Sequence, residues 1–199
     1  MSEVLSIKDE LMRKLIHICS SIFAYALFFF NQETVCLIVG IGSILILIFE
    51  ILRINYQSIN RIFIKIFGKV TRNFEKNKLT GASYVMLSSF IVLLPVFESY
   101  VCIISILVMS YSDTAAAIIG KKYGKTKIFS KTLEGSFAFF IVAFIIALVM
   151  YPQINLALSI TAIVIATIVE ILPLNIDDNF SVPITVALII SIGPWIGVL

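Results

Sequence analysis

Four ionisable side chains, His17, Glu50, Asp113 and Glu170, fall inside otherwise apolar stretches of the chain. An ionisable group in hydrocarbon is costly unless paired or hydrated, so each marks a place where charge is used. Asp113 is the sharpest case. It stands in Ser110-Tyr111-Ser112-Asp113-Thr114-Ala115-Ala116-Ala117-Ile118-Ile119-Gly120, where small residues let a neighbouring backbone or a ligand come close. Directly behind it come Lys121, Lys122, Lys125, Lys127 and Lys131, in a loop that runs into Thr132-Leu133-Glu134-Gly135-Ser136 and a new helix. Lysines hold phosphate as point charges, and the free N–H groups of a helix N-terminus bind anions. The same lysines would also serve as a plain headgroup patch. Asp113 and the loop together have the parts of a nucleoside triphosphate site.

A second acidic group, Asp177-Asp178-Asn179, precedes Ser181 and Pro183. Capping by Asn179 or Ser181, with Pro183 in the first turn of the last helix, explains part of this pattern. Capping needs only one of the three residues, whereas paired carboxylates suit a hard cation such as Mg²⁺. At the start of the chain Glu10, Arg13 or Lys14, and His17 share one helical face by three- and four-residue spacing. They read equally as juxtamembrane cations around a satisfied histidine or as part of a phosphate site. Lys78-Leu79-Thr80-Gly81 is a plain helix start or a second anion site.

The elements that must position these residues follow from composition. Of 199 residues, 60% are hydrophobic and 14% charged, and the mean hydropathy is +1.06. That leaves too little polar surface for a water-facing exterior, so lipid is the expected solvent. The expectation is an all-α, polytopic membrane bundle forming one domain over residues 1–199, with about seven spans at 15–30, 34–52, 82–97, 100–120, 133–151, 154–172 and 182–199. The segment 54–70 carries Ile59, Ile62, Phe63, Ile66 and Phe67 opposite Arg61, Lys65 and Lys69, which predicts an amphipathic interfacial helix. All 15 Lys and Arg fall before the first span or in the segments 53–78 and 121–131, which predicts a cytoplasmic N-terminus and puts the charged residues on that side. No small-residue cleavage site precedes the first span, so no cleaved signal peptide is expected. Cys19, Cys36 and Cys102 lie within spans, without zinc or disulfide spacing.

At these residues the sequence resembles the membrane superfamily of CTP-using lipid enzymes: dolichol kinase, phytol kinase, CTP-dependent diacylglycerol kinase and phosphatidate cytidylyltransferase. Glu10-x-x-Arg13-Lys14-x-x-His17 looks like its N-terminal signature, and Leu79-Thr80-Gly81-Ala82 like its small-residue motif. Asp113 with Gly120-Lys121-Lys122-Tyr123-Gly124-Lys125, and Lys131-Thr132-Leu133-Glu134-Gly135-Ser136, are similar to its nucleotide motifs. Asp177-Asp178-Asn179 with Pro183 is similar to a motif of the kinase branch, and the long C-terminal signature of the cytidylyltransferases does not occur. One departure is Lys121-Lys122, where arginine is frequent.

The resemblance implies a kinase that phosphorylates the hydroxyl of a lipid alcohol with CTP at the cytoplasmic face. Asp113, His17 and Lys131 would be catalytic, with Asp113 and His17 both open as the general base. Arg13, Lys14, Thr80, Gly81, Gly120, Lys121, Lys122, Lys125, Thr132, Glu134, Gly135 and Ser136 would bind nucleotide. Asp113, Asp177, Asp178 and Asn179 would hold Mg²⁺. The partners would be a nucleoside triphosphate, a lipid alcohol and the bilayer, and no nucleic acid. The alternatives are phosphatidate cytidylyltransferase and, more remotely, a transporter or channel.

Overall fold

A computed structural model describes residues 7–193, and it is 76% helical, with a two-stranded hairpin as the only sheet among the described residues. The helices are α1 (Ile7–Cys19), α2 (Ile22–Ala26), α3 (Gln32–Asn55), α4 (Gln57–Phe67), α5 (Gly81–Val92), α6 (Ser99–Leu107), α7 (Asp113–Tyr123), α8 (Leu133–Val149), α9 (Leu156–Ile171) and α10 (Asp178–Ser191). A 3₁₀ turn, Asn73–Asn77, precedes α5. The strands β1 (Lys127–Ile128) and β2 (Lys131–Thr132) pair antiparallel. Residues 194–199, which hold the end of the last predicted span, lie outside the described residues.

Two continuous helices among the described residues are long and apolar enough to cross a membrane: α3, and the rod Ser99–Tyr123 that joins α6 to α7. Helices α5, α8, α9 and α10 are apolar but shorter. The rod is the centre of the molecule. Val101, Cys102, Ile103, Ile104, Ile106, Val108 and Met109 are all buried, and α2, α8 and α10 pack around them. By contrast α3 turns Leu37, Ile38, Ile41, Ile44, Leu45 and Ile48 outward, an apolar face too broad for water.

Several predicted bounds shift for local reasons. The first span is broken: α1 ends at Cys19, and the Ser20 hydroxyl donates back to the His17 carbonyl at 2.6 Å, a bond that competes with the helix ladder. The third span ends at Val92, short of Pro95. The Gln32 side chain amide then donates to the carbonyls of Leu93, Leu94 and Phe97, and Ser99 donates to Gln32 at 2.8 Å. The amphipathic helix is shorter than predicted, with Ile62, Ile66 and Phe67 exposed and Phe63 against the Arg53 guanidinium, 4.5 Å from its ring centre.

Pro183 lies in the second turn of α10 rather than the first, because Asp177 caps the helix by accepting from Asn179 N–H at 3.0 Å. Proline has no N–H for the carbonyl four residues back. That carbonyl belongs to Asn179, and the buried Ser88 hydroxyl of α5 donates to it at 2.7 Å. The helix break is thereby turned into an α5–α10 bond.

Candidate functional site

Residues 108–112 form a single π-helical turn within the central rod. Such a turn inserts one extra residue and re-aims the side chains beyond it, and it is frequent at functional sites. Here it delivers Asp113 to the side of α1. Lys14 donates to Asp113 Oδ2, and His17 Nε2 stands 3.2 Å from the same oxygen and 3.1 Å from the Met109 carbonyl. A carbonyl only accepts, so Nε2 of His17 carries its proton.

On the other side of Asp113, α7 and α8 approach backbone to backbone. A Cβ on Gly135 would stand 2.9 Å from the Ala116 carbonyl oxygen and 3.2 Å from Gly120 Cα, and one on Gly120 would stand 2.7 Å from Thr132 Oγ1. Only glycine fits at these two positions. Thr132 caps α8 by accepting from Gly135 N–H at 3.2 Å, so this amide of the α8 N-terminus is already engaged. The hairpin turn before it holds Phe129 at φ 53, a left-handed conformation that lets the chain reverse within two residues. Lys131 is thereby fixed, its Nζ 2.9 Å from Glu170 Oε1 and also donating to Asp178. Ser136 holds the other oxygen of Glu170 at 2.9 Å.

These groups line a polar cavity of about 550 Å³. Its walls include Arg13, Lys14, Arg72, Lys121 and Lys131 facing Asp113, Glu170, Asp177 and Asp178. Burial, with the Asp178 carboxylate beside it, pushes Asp177 up to about 6. Burial also opposes the charge on Asp178, but the Lys131 ammonium, then Lys14, outweigh it and hold that carboxyl well below the usual range. Burial disfavours the Lys131 charge, and the Asp178 and Glu170 carboxylates reverse this and raise it.

A second cavity, about 490 Å³ and mostly apolar in its surface, lies between α1, α3, α4 and α5, with Arg13, His17, Glu50, Glu75, Thr80 and Asn179 among its lining. Arg13 lines both cavities. His17 lines the apolar one and Asp113 the polar one, so this pair, 3.2 Å apart, stands in the wall between the two.

No family model matches the chain, and no solved structure matches it. It is 32% identical to an uncharacterised protein of Rickettsia prowazekii, over 94% of this chain and 96% of that one. It is 29% identical to CTP-dependent diacylglycerol kinase 1 of Saccharomyces cerevisiae, over 92% of this chain and 73% of that enzyme. It is 31% identical to the chloroplastic phytol kinase 1 of Arabidopsis thaliana, over 92% of this chain and 66% of that enzyme. The chain belongs to the CTP-dependent lipid kinase superfamily. The match spans about two thirds to three quarters of the length of these two kinases.

In this superfamily member, Asp113, Lys131, Arg13, Lys14, Gly120, Lys121, Thr132, Gly135, Ser136, Asp177 and Asp178 all come together around the polar cavity. Lys122, in the last turn of α7, and Lys125, on the connection after it, are exposed. Glu134 accepts from Thr126 N–H at 3.2 Å and holds that connection. Thr80 and Gly81 lie apart from the polar cavity: Thr80 donates to Glu50 at 2.8 Å, and Gly81 N–H donates to Glu75 at 3.0 Å. Glu50 is in turn paired with the fully buried Arg53, so this acid of α3 is held in an internal network. Asn179 lines the apolar cavity, not the polar one.

Among the described residues no three His, Cys, Asp or Glu side chains form a ready-made metal cluster. Mg²⁺ asks for less, since it is usually held by one or two carboxylates together with substrate phosphates. The oxygen-only acids of the polar cavity fit that requirement. Sequence reasoning missed Arg72, which reaches this cavity from the position just before the 3₁₀ turn and lies 5.7 Å from the Phe74 ring centre. No spacing signal links position 72 to Asp177, because the two meet only through the fold.

Proposed function

We propose that the protein is a CTP-dependent kinase of a membrane lipid alcohol, acting as one membrane-embedded domain. Its apolar helical segments would form seven crossings, with the N-terminus and the polar cavity on the cytoplasmic side. The confinement of all 15 Lys and Arg to one set of connections supports that orientation.

The observation that carries the proposal is the adjacency of the two cavities, which share Arg13 and have the His17–Asp113 pair in the wall between them. A phosphoryl donor and a hydrocarbon-borne acceptor need such a meeting of a cationic chamber with an apolar one. Phosphoryl transfer depends mainly on positioning and charge neutralisation. Arg13, Lys14, Lys121, Lys131 and Arg72 would neutralise the triphosphate, while exposed Lys122 and Lys125 would steer it inward. Asp113, Asp177 and Asp178 would hold Mg²⁺, which when bound neutralises charge on the phosphate oxygens. The Asn179 side chain is assigned away from the metal, because it faces the apolar cavity.

In the reaction the lipid hydroxyl oxygen attacks the γ-phosphorus and a new O–P bond forms. The bond from the β–γ bridging oxygen to that phosphorus breaks, and CDP leaves with the electron pair. The hydroxyl proton passes to the Asp113 carboxylate. His17 is a positioning residue in this scheme, since the proton on Nε2 leaves that nitrogen unable to accept another. Glu170 orients Lys131 in the same sense.

The test is product analysis on purified protein supplied with CTP and, separately, diacylglycerol, phytol, a polyprenol or phosphatidate. CDP together with a phosphorylated alcohol is the expected result. Pyrophosphate with phosphatidate would make the protein a cytidylyltransferase, and no nucleotide turnover with any lipid would refute the kinase reading.

A further inference from the structure

The polar cavity changes character between its buried and its exposed lining. The buried lining includes the charged Lys14, Asp113 and Glu170. The exposed lining, apart from Ser130, is apolar: Phe74 is 55% exposed, and Leu172, Leu174 and Ile176 of the α9–α10 connection are 43%, 47% and 54% exposed. Single apolar side chains at a surface are ordinary, whereas a group of them at the mouth of a charged cavity marks a ligand with an apolar end. A nucleoside triphosphate has that gradient, with anionic phosphates at one end and a flat aromatic base at the other. Inorganic phosphate lacks the second end.

Phe74 is also held more firmly than an exposed side chain requires. Its 3₁₀ turn is pinned from within by Glu75, whose carboxylate accepts from Arg72 N–H at 2.7 Å and from Gly81 N–H at 3.0 Å. The fully buried Arg53 guanidinium donates to the Glu75 carbonyl at 3.0 Å and to the Lys76 carbonyl at 3.2 Å. The Arg72 guanidinium then lies over one face of the Phe74 ring, a cation–π contact that steadies the ring. An aromatic ring has two faces, and Phe74 keeps more than half of its surface open beside this partner.

We propose that Phe74, backed by Arg72, stacks the nucleobase of the phosphoryl donor at the exposed end of the polar cavity, with Leu174 and Ile176 as the apolar border of that subsite. The proposal rests on the kinase reading for the occupant, a nucleoside triphosphate, and names the residue that recognises its base. Every base has a π face, so stacking is tolerant of base identity. Phe74 therefore fixes that a base is held, and which end of the nucleotide points out, rather than which base it is. With the base at Phe74, the phosphates run inward toward the buried cations.

The test is binding without any lipid substrate. The full chain in nanodiscs, with Mg²⁺ present, is titrated calorimetrically with CTP, with ribose triphosphate, which keeps the sugar and phosphates but has no base, and with inorganic tripolyphosphate. CTP is expected to bind about fivefold to 150-fold more tightly than ribose triphosphate, the worth of one base stacked on an aromatic side chain. Phe74→Ala should remove most of that advantage and leave tripolyphosphate affinity as it was, whereas Phe74→Trp should retain the advantage. Equal affinity of the unaltered protein for CTP and ribose triphosphate would overturn the base platform. A Phe74→Ala protein that keeps the full CTP advantage would overturn it as well, and so would one that loses CTP and tripolyphosphate affinity alike, which is the mark of a structural role. Base-dependent binding at Phe74 without phosphoryl transfer to any lipid alcohol would refute the kinase reading and leave the platform standing.

Discussion

Lys131→Met removes one ammonium and leaves two carboxylates facing each other. Lys131 Nζ lies 2.9 Å from Glu170 Oε1 and also donates to Asp178. The Glu170 side chain is 2% exposed and that of Lys131 29% exposed, so water screens the Lys131 end only in part. Removing one partner of a fully buried ion pair costs about 3–5 kcal/mol. With the exposure of Lys131 discounted, the expected loss is about 2–3 kcal/mol. For a chain of this size that is a fall of roughly 5–10 °C in melting temperature. The added variant Asp178→Asn removes one of the two stranded charges and should restore about 1 kcal/mol of the loss, although it adds a second defect to the site. Turnover of CTP should fall about a hundredfold or more in both the single and the double variant, because a cation on the phosphates is gone. The assay is thermal unfolding in detergent beside nucleotide turnover, with Asp178→Asn alone closing the double-mutant cycle. A Lys131→Met protein that melts with the wild type, or a double variant no more stable than Lys131→Met, would refute the ion-pair reasoning.

Three further outcomes are expected. Ser88→Ala strands the buried Asn179 carbonyl that Pro183 leaves without a helical partner, and unfolding measurements should show a loss of about 1–3 kcal/mol. Gly135→Ala drives a Cβ against the Ala116 carbonyl, 2.9 Å away, and should cost about 1–3 kcal/mol and weaken CTP binding, read by calorimetry with CDP. Asp177 is raised to about 6 in the folded protein, above its unfolded value, so its contribution to stability is fully present at low pH and is lost as pH rises through 6. In metal-free protein Asp177→Asn, which still caps α10, should therefore stabilise by about 1–2 kcal/mol at pH 8 and by nothing at pH ~3.5, checked by melting curves at the two pH values.

The apolar segments were legible because hydrocarbon-length runs leave a strong one-dimensional signal, as in α3 and the rod Ser99–Tyr123. Their interruptions were not. The Ser20 back-bond, the π turn at 108–112 and the hairpin at 127–132 depend on single hydrogen bonds and on a left-handed Phe129, none of which alters hydropathy. Within the candidate site, Asp113 was legible as a charge inside an apolar stretch, Lys131 as one of a run of loop lysines, and Asp177 and Asp178 as adjacent acids between two apolar segments. The partners that hold them were not, since Lys14 and Asp113 are 99 positions apart and Lys131 and Asp178 are 47. Thr80-Gly81 carried the signal of an anion-binding helix start, yet the same residues at a helix start also serve an internal network, here with Glu50 and Glu75. Asn179 shows the limit in another way: sequence placed it with its two acidic neighbours, and the helical turn from Asp177 carries it round to the apolar side.

The central claim is that a hydroxyl in the apolar cavity meets a triphosphate in the polar one at Asp113. Its most direct measurement follows the label from γ-labelled CTP onto a lipid alcohol, in wild-type protein and in Asp113→Asn, with insertion and melting temperature checked for both. The account predicts label on the lipid with CDP released by the wild type, and a loss of roughly a hundredfold or more in the variant. Transfer by Asp113→Asn at the wild-type rate would contradict it.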